Sequence, residues 1–433
     1  MSLNETPMAE RTHIGFFGLR NAGKSSLVNR ITNQEMSVVS DVKGTTTDPV
    51  KKSMELLPLG PVTIIDTPGY DDEGSLGELR VKRTREVLQT CDVAILVTEH
   101  EQLQGLETEL LELIRARQIP CIIVKNKSDL SAAQSEKVCS TERESEMQAQ
   151  DGKEENKDNQ DNMSNQPDRV DNDRSPMSVS SLSGEGIEAL KEKIAHCMKG
   201  REKQIRFVAD LIHAGDTVVL VIPIDTSAPK GRLILPQQEA LRDILDAGAT
   251  SVVTGVEDLP ATLQKLKDAP ALVITDSQAF AKVMHMVPEE IALTSFSILM
   301  ARYKGFLEEA LRGAHAIDTL QDHAKVLIAE GCTHHRQCED IGTVKLPKWL
   351  KKHTGKDLDL SFTSGHGFPE DLRAYDLIIH CGACMLNDAE VQNRMRLAQA
   401  AGVPFTNYGT AIAHMNGILA RSVAPVLAAT DTR

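Results

Sequence analysis

Four short segments of the chain combine residue types and spacings suited to nucleotide chemistry. Gly18-Leu19-Arg20-Asn21-Ala22-Gly23-Lys24-Ser25 fits the pattern G-x-x-x-x-G-K-S/T, whose glycines let backbone N–H groups close around phosphate oxygens. Gly18, Asn21, Ala22, Gly23, Lys24, Ser25 and Ser26 are the expected phosphate-binding residues. Lys24 reaches the β- and γ-phosphates, Ser25 binds Mg2+, and the amino end of the following helix favours the anion. Asp66-Thr67-Pro68-Gly69 comes next, with a carboxylate able to hold Mg2+ through water and a Gly69 amide placed to sense the γ-phosphate. In Asn126-Lys127-Ser128-Asp129, the Asp129 carboxylate can accept two hydrogen bonds, from guanine N1–H and the 2-amino group. Adenine lacks that donor pair, so the segment selects GTP and GDP. Ser180-Ser181-Leu182 completes the series, where a backbone amide would meet guanine O6.

A second constellation suits a metal. Glu330-Gly331-Cys332-Thr333-His334-His335 and His380-Cys381-Gly382-Ala383-Cys384 are separated by 45 residues between His334 and His380. Cys332, Cys381 and Cys384 with one or two imidazoles make a good structural zinc set. The same three thiolates suit an iron–sulfur cluster, leaving one iron to an exchangeable ligand. The chemistry alone leaves both open and leans to zinc. Cys338, six residues after Cys332, competes as a fourth ligand, whereas Cys91, Cys121, Cys139 and Cys197 read as ordinary thiols.

The elements that must position these residues follow from periodicity. THIGFFG, VTIID, DVAILV, PCIIVK and MSVSS read as strands, and helices begin near Lys24, Gly77, Leu103, Ser131 and Gly186. That alternation predicts a mostly parallel sheet with helices on both faces, and each nucleotide segment then leaves the carboxyl end of a strand. A second βα series has strands at DTVVLVIP, ATSVVTG and APALVITD, with helices over 236–247, 258–268 and 277–286. A third has strands at KVLIAE, YDLIIH and VPFTNYG, with helices over 297–312, 388–400 and 409–421. Both cysteine groups follow strands, so a parallel sheet brings them to one edge. The expected fold class is α/β, a P-loop GTPase domain followed by two smaller parallel-sheet α/β domains, divided at 1–204, 205–290 and 291–433.

Composition agrees with this division. The chain has 433 residues, more than one ordinary core accommodates, and its 41% apolar and 25% charged residues are those of a globular protein. Residues 141–175 carry 11 acidic and 5 basic side chains and one branched aliphatic, Val170, so they cannot offset their ordering entropy and read as a disordered acidic insertion. The net charge of −14 argues against nucleic-acid binding by bulk electrostatics. No apolar run approaches the ~18 residues of a membrane span. The amino-terminal residues lack a signal-peptide layout, so a cytoplasmic setting is expected, where grouped cysteines bind metal or do redox work.

Residues 1–200 resemble translation-factor-class GTPases of the Era/TrmE type. Gly44-Thr45-Thr46-Thr47-Asp48 is similar to their first switch segment, with Thr46 at the magnesium-binding threonine, so the resemblance implies a catalytic set of Lys24, Thr46, Asp66 and Gly69. Asn21 matches the asparagine of members that recruit K+ beside the phosphates, where its charge would act as an arginine finger does. Tyr70 stands where Ras-like enzymes place a water-orienting glutamine, so slow intrinsic hydrolysis is expected.

The cysteine arrangement behind a GTPase domain resembles the FeFe-hydrogenase maturation GTPase family, HydF. LTSFSILMARYKG, AEGCTHH, DIGTVKLPKWL and DLIIHCGACM extend that resemblance over all but 141–175. It reverses the lean to zinc. It implies a 4Fe-4S cluster on Cys332, Cys381 and Cys384, with His334 or His380 as candidate fourth ligands. It also implies a dimerisation role for the middle domain and a homodimer. The chain would then be a scaffold that receives a diiron precursor as cargo from radical-SAM maturases and delivers it to the hydrogenase apoprotein. A different class of function, an RNA-modification or ribosome-assembly GTPase with a structural zinc, fits the first 200 residues but lacks an evident basic surface.

Overall fold

The computed structural model describes residues 6–33, 48–70, 74–129, 176–199, 205–224, 233–331, 340–365 and 367–431. Thr46, Cys332, His334 and Cys338, the helix expected near Ser131 and the 141–175 stretch lie outside them. The chain divides into two compact units, residues 12–200, and residues 1–11 with 201–433.

The first unit runs β1 (Thr12–Phe17), α1 (Lys24–Thr32), β2 (Val50–Leu56), β3 (Gly60–Asp66), α2 (Gly74–Leu88), β4 (Val93–Thr98), α3 (Leu106–Ala116), β5 (Cys121–Lys125), β6 (Met177–Ser178) and α4 (Ile187–Met198). Among the described residues the sheet order is β2-β3-β1-β4-β5-β6, parallel except for β2, which pairs antiparallel with β3. Side chains alternate across β1. Ile14 and Phe16 pack with Leu27, Val28 and Ile31 of α1 and Leu190 and Ile194 of α4. Phe17 packs on the other face with Val87 and Leu88 of α2 and Leu110 and Ile114 of α3. Burying each such side chain stabilises by about 1.5–3 kcal/mol. The edge strand β2 was not expected; its exposed positions carry Lys51, Ser53 and Glu55, and so polar a strand has little apolar signal to read.

The second unit runs β7 (Thr217–Val221), α5 (Leu235–Asp246), β8 (Thr250–Thr254), α6 (Leu259–Lys265), β9 (Leu272–Thr275), α7 (Phe280–Val283), β10 (Ala292–Ser295), α8 (Phe296–Tyr303), α9 (Leu307–His315), β11 (Lys325–Glu330), α10 (Leu346–Thr354), β12 (Asp359–Ser364), β13 (Leu377–His380), α11 (Asp388–Ala401), β14 (Phe405–Asn407), α12 (Tyr408–Met415) and α13 (Leu419–Asp431). Two parallel sheets result, β10-β9-β7-β8 and β12-β11-β13-β14. The division at 290/291 is corrected here, because β10 pairs with β9 and completes the middle sheet. A single apolar core, from Phe207 to Val426, joins both sheets, so the two expected domains are halves of one packed unit.

Three expected helices also differ. The 297–312 span is two helices, because Gly305 at φ +74° turns the chain between α8 and α9 where a side chain would be strained. The 409–421 span is likewise split between α12 and α13, and 277–286 holds only a short 3-10 turn and α7. No helix among the described residues is long and apolar enough to cross a membrane.

Candidate functional site

In the first unit, Phe16 of β1 lies in register with Asp66 of β3 and Ile95 of β4, while Thr98 of β4 pairs with Lys125 and Lys125 with Ser178. Parallel pairing therefore delivers all four nucleotide segments to one sheet edge. The Lys24 ammonium is buried and donates to the Gly18 and Leu19 carbonyls at 3.1 and 2.8 Å. Ser25 Oγ donates to Asp66 Oδ2 at 2.5 Å. Asp66 Oδ1 is buried without a hydrogen-bond partner among the described residues. Burial raises the Asp66 carboxyl above its usual range, while the Ser25 hydroxyl and the Lys24 ammonium act in the opposite direction. An unpartnered anionic oxygen beside a serine hydroxyl is a donor set that fits Mg2+, a hard cation that takes oxygen ligands.

Gly69 is pinned against the phosphate loop. A Cβ there would lie 2.7 Å from Arg20 Cα, and the neighbouring Tyr70 amide donates to the Gly18 carbonyl at 3.1 Å. Tyr70 itself is 1% exposed, and its hydroxyl donates to Glu109 of α3 at 2.8 Å. Its ring belongs to the core beside Phe17 and Ile65, so it orients no water.

The base-recognition segments lock onto the loop. Asn126 Nδ2 donates to the Ala22 and Gly23 carbonyls at 3.2 and 3.4 Å. Lys127 donates to the Asn21 carbonyl at 3.0 Å and also pairs with Glu99. Asn21 is exposed and sits at φ +66°. The Ser180 hydroxyl donates to Asp129 Oδ1 at 2.7 Å, and the Ser181 amide to Asn126 Oδ1 at 3.1 Å. Leu182 is exposed beside them and Ser26 is half-buried in the first turn of α1.

In the second unit, Ala329 of β11 is in register with His380 of β13, so the two cysteine-bearing segments leave adjacent strands. Cys381 Sγ accepts from the Gly331 amide at 3.1 Å and the Ala383 amide at 3.4 Å. The Gly331 amide thus ties the end of β11, immediately before Cys332 in the sequence, to the Cys381 segment. Burial raises the Cys381 thiol and pushes the Cys384 thiol up to about 12, with the nearby Cys381 adding to the latter. Such thiols ionise on taking a metal, and two amides aimed at one sulfur favour the thiolate form.

His380, one of the two candidate fourth ligands, sits at the end of β13. Its ring is fully buried, with Nδ1 2.9 Å from the Cys381 carbonyl and Nε2 3.0 Å from Arg394 Nη1. A guanidinium only donates, so Nε2 accepts and Nδ1 carries the proton donated to the carbonyl. Burial, with Arg394 alongside, pushes the ring pKa down to about 3 and keeps it neutral. Both nitrogens are engaged, and the histidine holds the Cys381 backbone.

Two supporting residues had no assigned role in the sequence. Arg394 of α11 bonds Glu390 Oε1 at 2.5 Å and the Gly365 carbonyl at 2.6 Å, with its guanidinium 5.0 Å from the Phe368 ring centroid. Lys304, buried at the end of α8, donates to the Leu386 carbonyl at 2.7 Å and Asp388 at 3.1 Å, tying down the loop after Cys384. Lys304 lies within LTSFSILMARYKG, a segment whose signal was visible; Arg394 is one of two arginines on α11 and carries none.

Comparisons with known proteins divide along the same lines. Residues 13–127 match the family model of the 50S ribosome-binding GTPase. GTPase Der of Sulfurimonas denitrificans is 35% identical over 127 residues, 28% of this chain and 26% of that protein. A tRNA modification GTPase MnmE of Polynucleobacter asymbioticus is 31% identical over 182 residues, 41% of this chain and 33% of that one. The chain thus spans a third or less of the length of these relatives. Among solved structures, Era from Aquifex aeolicus bound to GDP·AlF4− overlaps 56% of this chain and 92% of that one, at 17% identity and a TM-score of 0.32. Residues 207–305 match the hydrogen maturase F dimerization domain, a span that includes β10 and α8 with the middle sheet. Residues 308–425 match the hydrogen maturase F tetramerization domain, which contains Cys332, Cys381 and Cys384. With these two models covering half of the chain behind a GTPase domain, the chain belongs to the hydrogen maturase F family.

Proposed function

We propose that this protein is a GTP-hydrolysing scaffold in FeFe-hydrogenase maturation. It would bind a 4Fe-4S cluster on Cys332, Cys381 and Cys384, accept a diiron precursor from radical-SAM maturases, and pass it to the hydrogenase apoprotein in the cytoplasm as a homo-oligomer. The observation that carries this reading is the Gly331 amide on Cys381 Sγ at 3.1 Å, which sets the start of one cysteine segment directly against the other. When bound, the cluster would supply an iron with an exchangeable ligand position; the protein would supply three thiolates, amide donors and a neutral His380 that fixes the Cys381 backbone.

In the first unit Lys24 stands ready to turn from the loop carbonyls to the β- and γ-phosphates. Mg2+ would supply positive charge there, held by Ser25, Thr46 and the Asp66 carboxylate. The Gly69 amide reads the γ-phosphate, and Asp129, oriented by Ser180, selects guanine. Because Tyr70 is committed to the core, no side chain at that position orients water, which supports slow turnover raised by K+ at Asn21.

Anaerobic reconstitution followed by iron, sulfide and zinc analysis tests the cluster. The parent should hold a four-iron complement, and Cys381→Ala should lose most of it. Stoichiometric zinc with no iron would favour the RNA-modification reading that the similarity to MnmE over the first unit suggests.

A further inference from the structure

Outside both sites, the second unit brings two imidazoles and a carboxylate to one point. Asp318 lies in the 3-10 turn Ala316–Thr319 that follows α9; His353 is in the last turn of α10, and His414 in the last turn of α12. Asp318 Oδ1 is 2.8 Å from His353 Nε2, and its Oδ2 is 2.9 Å from His414 Nε2. One ligand atom from each residue falls within 4.8 Å of the others. His315, the final residue of α9, stacks edge-on against His414 with ring centroids 5.0 Å apart.

We infer that Asp318, His353 and His414 form a binding site for a divalent transition-metal ion of the zinc class, separate from the cysteine edge. Donor chemistry selects the ion: two imidazole nitrogens and one carboxylate suit Zn2+, Co2+ or Ni2+, whereas Mg2+ and Ca2+ favour all-oxygen shells. The backbone adds to the selection. Three helices end here, and their carboxyl termini carry partial negative charge that favours a cation. Geometry requires little movement. Ligand atoms bonded at about 2.0–2.2 Å in a tetrahedral site stand roughly 3.3 Å apart, so the Asp318 contacts at 2.8 and 2.9 Å open slightly while the remaining separations, all within 4.8 Å, close toward that value. With Asp318 accepting, each ring presents an Nε2 hydrogen to it. On metal binding Nε2 gives up that hydrogen and offers its lone pair to the ion. The Asp318 side chain is 52% exposed, which leaves a solvent-facing fourth position.

The experiment is Co2+ and Zn2+ titration of the full-length, cluster-reconstituted protein, so that the three cysteines are already occupied. Binding at the inferred site gives weak visible bands without the intense near-ultraviolet charge transfer of thiolate ligation. Asp318→Asn, His353→Gln and His414→Gln should each weaken binding by at least about ten-fold, the lower end for losing even an outer partner of a metal ligand. Circular dichroism identifies any variant that fails to fold, and the parent spectrum decides the matter independently of the variants. Thiolate charge transfer alone, no uptake by the parent, or folded variants that bind as tightly as the parent would each overturn the site.

Discussion

Replacing Arg394 by Met tests the strut behind the cysteine edge. The guanidinium is 2% exposed and holds Glu390, the Gly365 carbonyl and His380 Nε2 at 2.5, 2.6 and 3.0 Å. The Glu390 side chain is itself only 6% exposed, so removing its partner leaves a buried carboxylate charge. Breaking a buried pair from one side costs about 3–5 kcal/mol, and two neutral acceptors lose their donor as well. Methionine retains most of the volume, so little of the cost is cavity. These terms overlap, and we expect roughly 4 kcal/mol for Arg394→Met. The double variant Arg394→Met/Glu390→Met removes both charges and should recover about half of that, ~2 kcal/mol. The chain contains one tryptophan, Trp349 in α10, packed against the core of the second unit. Urea unfolding followed by its fluorescence therefore reports on this unit alone. A single variant within about 1 kcal/mol of the parent, or a double variant no more stable than the single, refutes the strut.

Asp129→Asn replaces an acceptor pair with a mixed donor and acceptor, and should cost about 1.5–3 kcal/mol of GTP affinity by titration calorimetry; unchanged affinity would remove the guanine assignment. K+ should raise GTP turnover where Na+ does not, and Asn21→Ala should erase the difference, whereas equal parent rates in the two salts would remove the potassium role and leave the nucleotide site intact. Burial holds the Asp66 carboxyl above its usual range, and Mg2+ needs the ionised form. Mg2+-dependent tightening of GTP binding should therefore persist above that raised pKa and be lost as pH falls through it, at a higher pH than an exposed carboxylate would show. Affinity that stays flat into the ordinary carboxylate range would contradict this.

How much was legible in the sequence follows from how local each feature is. The phosphate loop, Asp66-Thr67-Pro68-Gly69, Asn126 to Asp129 and Ser180 to Leu182 each work through a few contiguous residues leaving a strand, so type and spacing identify them before any fold is known. Buried strands such as β4, all six positions of which are buried, announce themselves as apolar runs. Edge strands do not: β2 exposes three of its seven residues and β12 four of its six, and both hide among polar residues. Nor could periodicity place β10, four residues long, in the middle sheet, or reveal that one core joins both parallel sheets. His380 illustrates the limit most directly. Its position beside Cys381 made it a reasonable ligand, but its role depends on Arg394, fourteen residues on and one turn from Glu390. Asp318 and His414 lie 96 residues apart and meet only because three helices end at one place. Chain chemistry determined which groups the protein carries; the order of strands and the ends of helices decided which of them touch, because those contacts arise from long-range packing that no local spacing encodes.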